Sequence, residues 1–370
     1  GAVMGDSFGL ENVLWFANNK EDAHEEPTIK RSRSHDYVSK EVINVRENVG
    51  VMELANFSKH EFKGPDAKKF LDYVMAGKLP KPGRISLSPM LTRKGKLYGD
   101  LTVACMDDNE FMIFGSGAAQ EMHRRWFESH IGKFNLEYKN RSDDFHGLAI
   151  SGPKSREVLQ KVVRDNVSNE KFKFRDSRRM YVAGVPAIVN RISFTGELGY
   201  EIYVAPHYQI KLYEELTEAG KEFNIKPFGL RALMSMRLEK NWGAWTLDYR
   251  PDFTAKETGL DIFINWDKEF IGKKYAKEDN SVNKLTPMVV ETNEIDVTYN
   301  EAVLKDDKAI GYVTSGGFAH FVNKSVAFSY LDTNKLNSGK GIQVEINGDL
   351  FNCNLIKEPL YDPSGSKMRS

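Results

Sequence analysis

The sequence feature that most limits the choice of fold is one punctuation used twice: a short apolar run, then Gly-Pro, then a small amphipathic helix. Val51-Met52-Glu53-Leu54-Ala55 reads as a strand. Gly64-Pro65-Asp66-Ala67 then opens a helix with Phe70, Leu71, Val74 and Met75 on one face, and proline sits in its first turn, where the missing N–H costs little. About ninety residues later, Ala149-Ile150-Ser151 runs into Gly152-Pro153-Lys154-Ser155 and a helix with Val158, Leu159, Val162 and Val163 in the same spacing. A chain that repeats this unit is predicted to form two related α+β halves, and not one long doubly wound sheet.

Alternation and turn residues fill in the rest. Between the copies, strands are predicted at Arg84–Leu87, Asp100–Met106 and Glu110–Phe114, with a helix over Ala118–His130. After the second copy come strands at Met180–Val182, Val185–Ile192 and Tyr200–Val204, then helices near Tyr208–Phe223 and Leu230–Glu239. From about Leu285 short alternating strands with Gly, Asn and Asp turns predict a small β-barrel. Residues 16–42 are dense in Asn, Lys, Glu, Arg and Ser and read as an extended or loosely packed arm. The expected organisation is therefore an arm over 1–43, two α+β lobes over 44–280 and a barrel over 281–370.

Composition removes several classes of function. Lys+Arg and Asp+Glu both number 52 in 370 residues, so no net field draws nucleic acid. No apolar run approaches the ~18 residues of a membrane span, and no basic-then-apolar leader opens the chain, which predicts a cytoplasmic protein, or one of the mitochondrial matrix in a eukaryote. Cys105 and Cys353 each lie in an alternating apolar stretch and read as core. Walker A, His-Glu-x-x-His, Cys-x-x-Cys and Gly-x-Ser-x-Gly are all missing, and the eight histidines are scattered, so no metal site is expected. Any chemistry must lean on carboxylates and on a bound cofactor.

Three segments carry such groups. Asp100 opens an apolar strand after Lys94-Gly95-Lys96-Leu97-Tyr98-Gly99. Ser193-Phe194-Thr195-Gly196-Glu197-Leu198-Gly199-Tyr200-Glu201-Ile202-Tyr203 places Glu201 beside Tyr203 on one strand face, with Tyr200, Ile202 and Val204 on the other. Met236-Arg237-Leu238-Glu239-Lys240-Asn241-Trp242 ends a helix. Each has an ordinary reading: an Asp in a turn, a solvated Glu, a surface ion pair.

Taken together, these segments resemble the folate-dependent aminomethyltransferases: the T-protein of the glycine cleavage system and, more closely, the C-terminal folate-binding region of dimethylglycine and sarcosine dehydrogenases. Matching stretches include Gly83-Arg84-Ile85-Ser86, Gly99-Asp100-Leu101-Thr102-Val103, Thr195-Gly196-Glu197-Leu198-Gly199-Tyr200-Glu201, Arg237-Leu238-Glu239-Lys240, Thr258-Gly259-Leu260, Phe270-Ile271-Gly272-Lys273 and Thr314-Ser315-Gly316-Gly317. The opening Gly5–Ala17 looks like the segment that joins flavin and folate parts in the dehydrogenases, although no flavin module precedes it and no flavin site is expected in this chain.

The resemblance implies a three-lobed α+β architecture with duplicated halves, a C-terminal barrel and tetrahydrofolate in a central channel. It implies that Asp100 faces the N5/N10 edge of the folate as proton acceptor, that Glu201 accepts from the pterin 2-amino and N3–H groups, and that Arg237 lies near the folate or its anionic benzoylglutamate end. Tyr98, Trp242 and Trp245 are expected to line the channel, and Phe194 stands where relatives commonly carry Tyr. The reaction implied is capture of a one-carbon unit from a methylated amine, as its iminium or formaldehyde product, and the partner implied is a flavoprotein oxidase domain or subunit. Two other readings stand beside it: a tetrahydrofolate-dependent demethylase of an onium compound such as dimethylsulfoniopropionate, and a folate-holding module without chemistry of its own.

Overall fold

A computed structural model describes residues 1–7, 9–336 and 341–370; Phe8, inside the opening segment, lies outside the described residues. The chain opens with a hairpin of β1 (Ala2–Ser7) and β2 (Leu10–Phe16), then α1 (Ser34–Glu47). The first lobe follows β3 (Gly50–Glu53) and comprises β4 (Phe57–Lys63), α2 (Ala67–Val74), β5 (Arg84–Leu91), β6 (Leu97–Asp107), β7 (Glu110–Ser116) and α3 (Gln120–Ile131). The second follows β8 (Glu137–Asn140) with β9 (His146–Ser151), α4 (Ser155–Val162), β10 (Ser177–Val182), β11 (Val185–Asn190), β12 (Gly199–Val204) and α5 (Gln209–Gly220); β13 (Lys226–Pro227) and α6 (Leu230–Glu239) close it.

The duplication extends to backbone detail. In the first sheet the order is β5-β6-β7-β4-β8, and in the second β10-β11-β12-β9-β3-β13. Each lobe is thus a strand, a Gly-Pro helix and a three-strand meander whose last strand returns to the first. The leading strands are exchanged: β3 precedes β4 in the chain but pairs with β9, whereas β8 precedes β9 and pairs with β4. Gly64 and Gly152 mark the crossing points, with φ of 132° and 131°. A Cβ at Gly64 would meet the Asn135 carbonyl at 2.9 Å, and one at Gly152 the Asn48 carbonyl at 2.5 Å. In both lobes only glycine lets the turn pass the exchanged strand so closely.

Side-chain alternation builds three layers. Leu101, Val103 and Cys105 of β6 pack under α2 and α3, and Tyr200, Ile202 and Val204 of β12 pack under α4 and α5. The opposite faces of the two sheets meet in a seam of Ile85, Ala104, Met112 and Phe114 against Leu54, Ile188 and Tyr203. Phe114 and Tyr203 stack across it with centroids 4.7 Å apart, a contact worth about 0.5–1.5 kcal/mol beyond the area it buries.

The C-terminal region is a closed barrel of β14 (Asn283–Val290), β17 (Lys324–Asp332), β16 (Lys308–Ala319), β15 (Ala302–Lys305), β18 (Ile342–Ile346) and β19 (Asp349–Leu355), in that order. Cys105 and Cys353 are buried free thiols. No described helix is long and apolar enough to cross a membrane.

Two expectations are corrected. The loose arm ends at Ser34: α1 buries Val38, Val42 and Val45 against Trp15 and α6, and Glu41 accepts the N–H groups of Phe16 and Gly229 at 2.7 and 2.9 Å. Its polar composition hid an apolar stripe at helical spacing. The strand β4 was not anticipated, because Phe57-Ser58-Lys59-His60-Glu61-Phe62-Lys63 is polar; Ser58, Lys59 and His60 are nonetheless fully buried within the sheet.

Candidate active site

Glu201 lies in the middle of β12, and since Tyr200 and Ile202 fill the helix-side core, it is turned with Tyr203 into the seam. The Tyr203 hydroxyl donates to Glu201 Oε2 at 2.9 Å, which leaves the other carboxylate oxygen as a free acceptor among the described residues. Burial pushes the Glu201 carboxyl up to about 7, against the Tyr203 hydrogen bond and the nearby Lys59 ammonium. Lys59 reaches the seam from β4 of the other lobe and donates to the Ala55 carbonyl at 2.8 Å; burial lowers it to about 8. Directly across from Glu201 on β11 is Asn190, whose Oδ1 accepts from the Ser177 hydroxyl at 2.7 Å. Its buried Nδ2 has no partner among the described residues. A half-filled acceptor beside an orphaned donor leaves hydrogen-bonding capacity open on this face of β11 and β12.

Asp100 lies on the face of β6 that Ala104 turns to the seam, toward the start of that strand. The β5–β6 register shifts between Met90 (opposite Gly99) and Leu91 (opposite Leu97), so Tyr98 is an extra, bulged residue. Beyond the bulge Leu101 and Val103 face the helices, which turns Asp100 toward the seam side with Ala104. Burial raises Asp100 to about 7. Tyr249 lies close enough that burial and the Asp100 charge both raise its phenol. Both carboxylates keep part of their surface accessible, although each is enclosed enough to resist ionisation.

Beside the seam is a cavity of about 790 Å³ under the opening hairpin and α6. Its wall includes Met52, two strands from Glu201 along one row (Glu201–Ala149–Met52), together with Phe57, Ser116 and Trp245. Neither carboxylate lines this cavity; it adjoins the seam and does not contain it.

Comparison with known proteins fixes the affiliation. The GCVT N-terminal domain model matches residues 1–268, and the glycine cleavage T-protein C-terminal barrel domain model matches residues 283–362. The chain belongs to the glycine cleavage T-protein family. This is a family of folate-dependent one-carbon transferases. The chain is 34% identical over 376 residues to dimethylglycine dehydrogenase, mitochondrial, of Mus musculus, and equally to that of Homo sapiens. Those alignments take in 99% of this chain and 43% of either relative, so the chain spans less than half their length. An aminomethyltransferase of Thermoanaerobacter pseudethanolicus is 29% identical over 87% of this chain and 89% of its own. The crystal structure of glycine cleavage system aminomethyltransferase T from Bartonella henselae superposes with a TM-score of 0.85 at 20% identity, covering 98% of this chain and 95% of that one. The shared fold is the three-lobed one.

The remaining expected residues of this T-protein-family chain fall in four places. Trp245 lines the cavity. Phe194 and Trp242 stack on each other at 5.7 Å, with Phe194 partly exposed. Tyr98 departs from expectation, because the bulge sends it to the helix side, where its ring lies 4.5 Å from that of Trp126 and faces away from Asp100.

Arg237 is only 1% exposed; its Nη1 pairs with Asp248 at 2.8 Å and donates to the Trp242 carbonyl at 3.0 Å, while its buried Nε has no partner among the described residues. Asp248 in turn accepts from the Thr314 and Ser315 hydroxyls at 2.5 and 2.7 Å, which fastens the barrel to the loop carrying Trp245 and Tyr249.

Sequence reasoning did not single out Lys59, Asn190, Asp248 or Tyr249. A lysine and a histidine alternating with Phe57 and Phe62 were the only signal for Lys59; Asn190 and Asp248 gave none.

Proposed function

We propose that the seam binds tetrahydrofolate and that the chain transfers to it a one-carbon unit from a methylated amine of the dimethylglycine or sarcosine kind, delivered as an iminium or formaldehyde by a flavoprotein oxidase domain or subunit. The observation that carries the reading is the pair of enclosed carboxylates, one from each lobe, each raised by burial to about 7.

The residues fit the group. Glu201, with Oε2 held by Tyr203, presents an acceptor for adjacent N–H groups, and the unpartnered Nδ2 of Asn190 supplies a donor beside it. An enclosed carboxylate meeting two N–H groups gains charge-assisted bonds, worth about 1.5–3 kcal/mol each, and ionises in doing so. Tetrahydrofolate supplies the nucleophilic ring nitrogen. Asp100 is the residue that would hold the proton given up at that nitrogen. With its carboxyl near 7, Asp100 is ionised and able to accept above neutrality. The seam excludes water through Phe114, Tyr203 and Ile188, which protects a reactive electrophile from hydrolysis. The relation to dimethylglycine dehydrogenase over 99% of this chain supports a methylated amine as the source.

Calorimetric titration with tetrahydrofolate, followed by a methylene-formation assay with formaldehyde, tests the reading. Binding with accelerated methylene formation is expected. Binding without acceleration favours a holding module, and turnover with a sulfonium donor alone favours the demethylase.

A further inference from the structure

The bulge that aims Asp100 is held by one side chain from outside the sheet. His123 on α3 lies 2.9 Å through Nε2 from the Tyr98 carbonyl. A carbonyl only accepts, so Nε2 carries the ring proton and Nδ1 is a bare acceptor. We propose that His123 is a positioning residue for Asp100: its N–H grips the bulged Tyr98 carbonyl, two residues upstream, and so fixes the direction in which the carboxylate leaves the strand. The inference rests on the reading of Asp100 given above.

Four observations support it. The carbonyl belongs to the one residue between Leu97 and Cys105 without a β5 partner, where the β5–β6 pairing is interrupted. Between that residue and Asp100 stands Gly99, and a Cβ there would come within 3.0 Å of His123 Nε2, so strand and imidazole are packed as closely as the glycine permits. His123 is 1% exposed, and burial pushes its pKa down to about 4, so the neutral donor form persists across the working pH range.

The fourth is that the bond to Tyr98 is the only hydrogen bond His123 makes among the described residues: Nδ1 is unpartnered. Two further buried atoms near it, Ser58 Oγ and His60 Nε2, are also unpartnered. The ring also meets Trp245 at 5.8 Å, which ties the cavity wall to the strand of Asp100.

The test uses the full chain with tetrahydrofolate and formaldehyde. His123→Gln keeps an N–H near the Nε2 position, whereas His123→Asn moves it back toward Nδ1; both are polar, smaller and expected to fold. His123→Asn is expected to lower kcat on the order of 10²-fold, the cost of a misdirected reacting group, while KM for tetrahydrofolate stays within about twofold. His123→Gln is expected to recover most of the loss. In an Asp100→Asn background, itself strongly impaired, His123→Asn is expected to add nothing, since both changes act through one carboxylate. Equal kcat for all three His123 forms, or a full additional loss in the Asp100→Asn background, overturns the positioning role while leaving the reading of Asp100 intact. Unimpaired turnover of Asp100→Asn alone overturns both.

Discussion

The two lobes are copies in topology and differ where each meets the seam. In the first lobe the middle strand of the meander, β6, has eleven residues, and its register shifts against both neighbours. Its counterpart β11 has six and pairs with β10 without a shift. The extra length carries the β5–β6 tip out to the segment before α7 (Ala255–Thr258), where Leu97 donates to the Phe253 carbonyl at 2.8 Å. Asp100 stands at the base of that extension. In the second lobe the carboxylate lies on the last strand, and the irregular link before it is pinned by charge. Arg46 reaches from α1 to Glu197 at 3.0 Å and Glu239 at 2.6 Å, with its guanidinium 3.8 Å over the Tyr361 ring. A duplicated scaffold thus supplies two equivalent walls, and local departures from equivalence set the two carboxylates differently; in the proposed reading one serves proton transfer and the other ring recognition.

That division of labour is most easily broken at Asp100. Asp100→Asn is expected to reduce turnover by about 10²–10⁴-fold with tetrahydrofolate affinity nearly unchanged, read by single-turnover methylene formation. Next in size is the pinning of the second lobe. Arg46→Met leaves Glu197 and Glu239 buried without their cation and is expected to cost about 3–5 kcal/mol in denaturant unfolding. A loss below about 1 kcal/mol would mean that the link before Glu201 stands without it.

The symmetry itself is tested by Gly64→Ala and Gly152→Ala. Each is expected to destabilise by roughly 1–3 kcal/mol for its backbone conformation alone, with matching losses in the two lobes. A large effect at one site and none at the other would break the equivalence. Glu201→Gln is expected to show the reverse of the Asp100 signature: affinity weakened by about 1.5–3 kcal/mol in calorimetry, and turnover at saturating folate largely kept.

The smallest expected effect is on pH dependence. Burial raises Glu201 from 4.5 to about 7, so between those values the folded protein holds a proton that the unfolded chain has lost, and stability from this group falls as pH rises. His60, His123 and His320, whose pKa values burial depresses, act in the opposite direction. The informative quantity is therefore the difference: Glu201→Gln is expected to gain on the wild type between pH 5 and pH 8. A constant difference would place that carboxylate in a more open setting.

Much of the scaffold was legible because it rests on local rules. The Gly-Pro punctuation located both helices; alternation located β12 and put Glu201 and Tyr203 on one face, where they are hydrogen-bonded. What stayed hidden depends on pairing across the chain. Nothing in residues 50–53 says that β3 joins the sheet of β9, because the choice is made by a surface assembled ninety residues later. The helix-side position of Tyr98 was not legible, because a single bulge separates it from the face that Asp100 occupies. The ion pair of Arg237 with Asp248 was not legible, because Asp248 sits outside any motif and is brought to it by the turn after α6. Lys59 escaped because a buried polar strand looks like a loop until both of its neighbours are known.

The most direct measurement is a crystal structure of the chain with tetrahydrofolate. The account expects the pterin in the seam, with its 2-amino and N3–H edge on Glu201 and its N5/N10 edge facing Asp100. A pterin lodged only in the cavity under the opening hairpin, touching neither carboxylate, would contradict it.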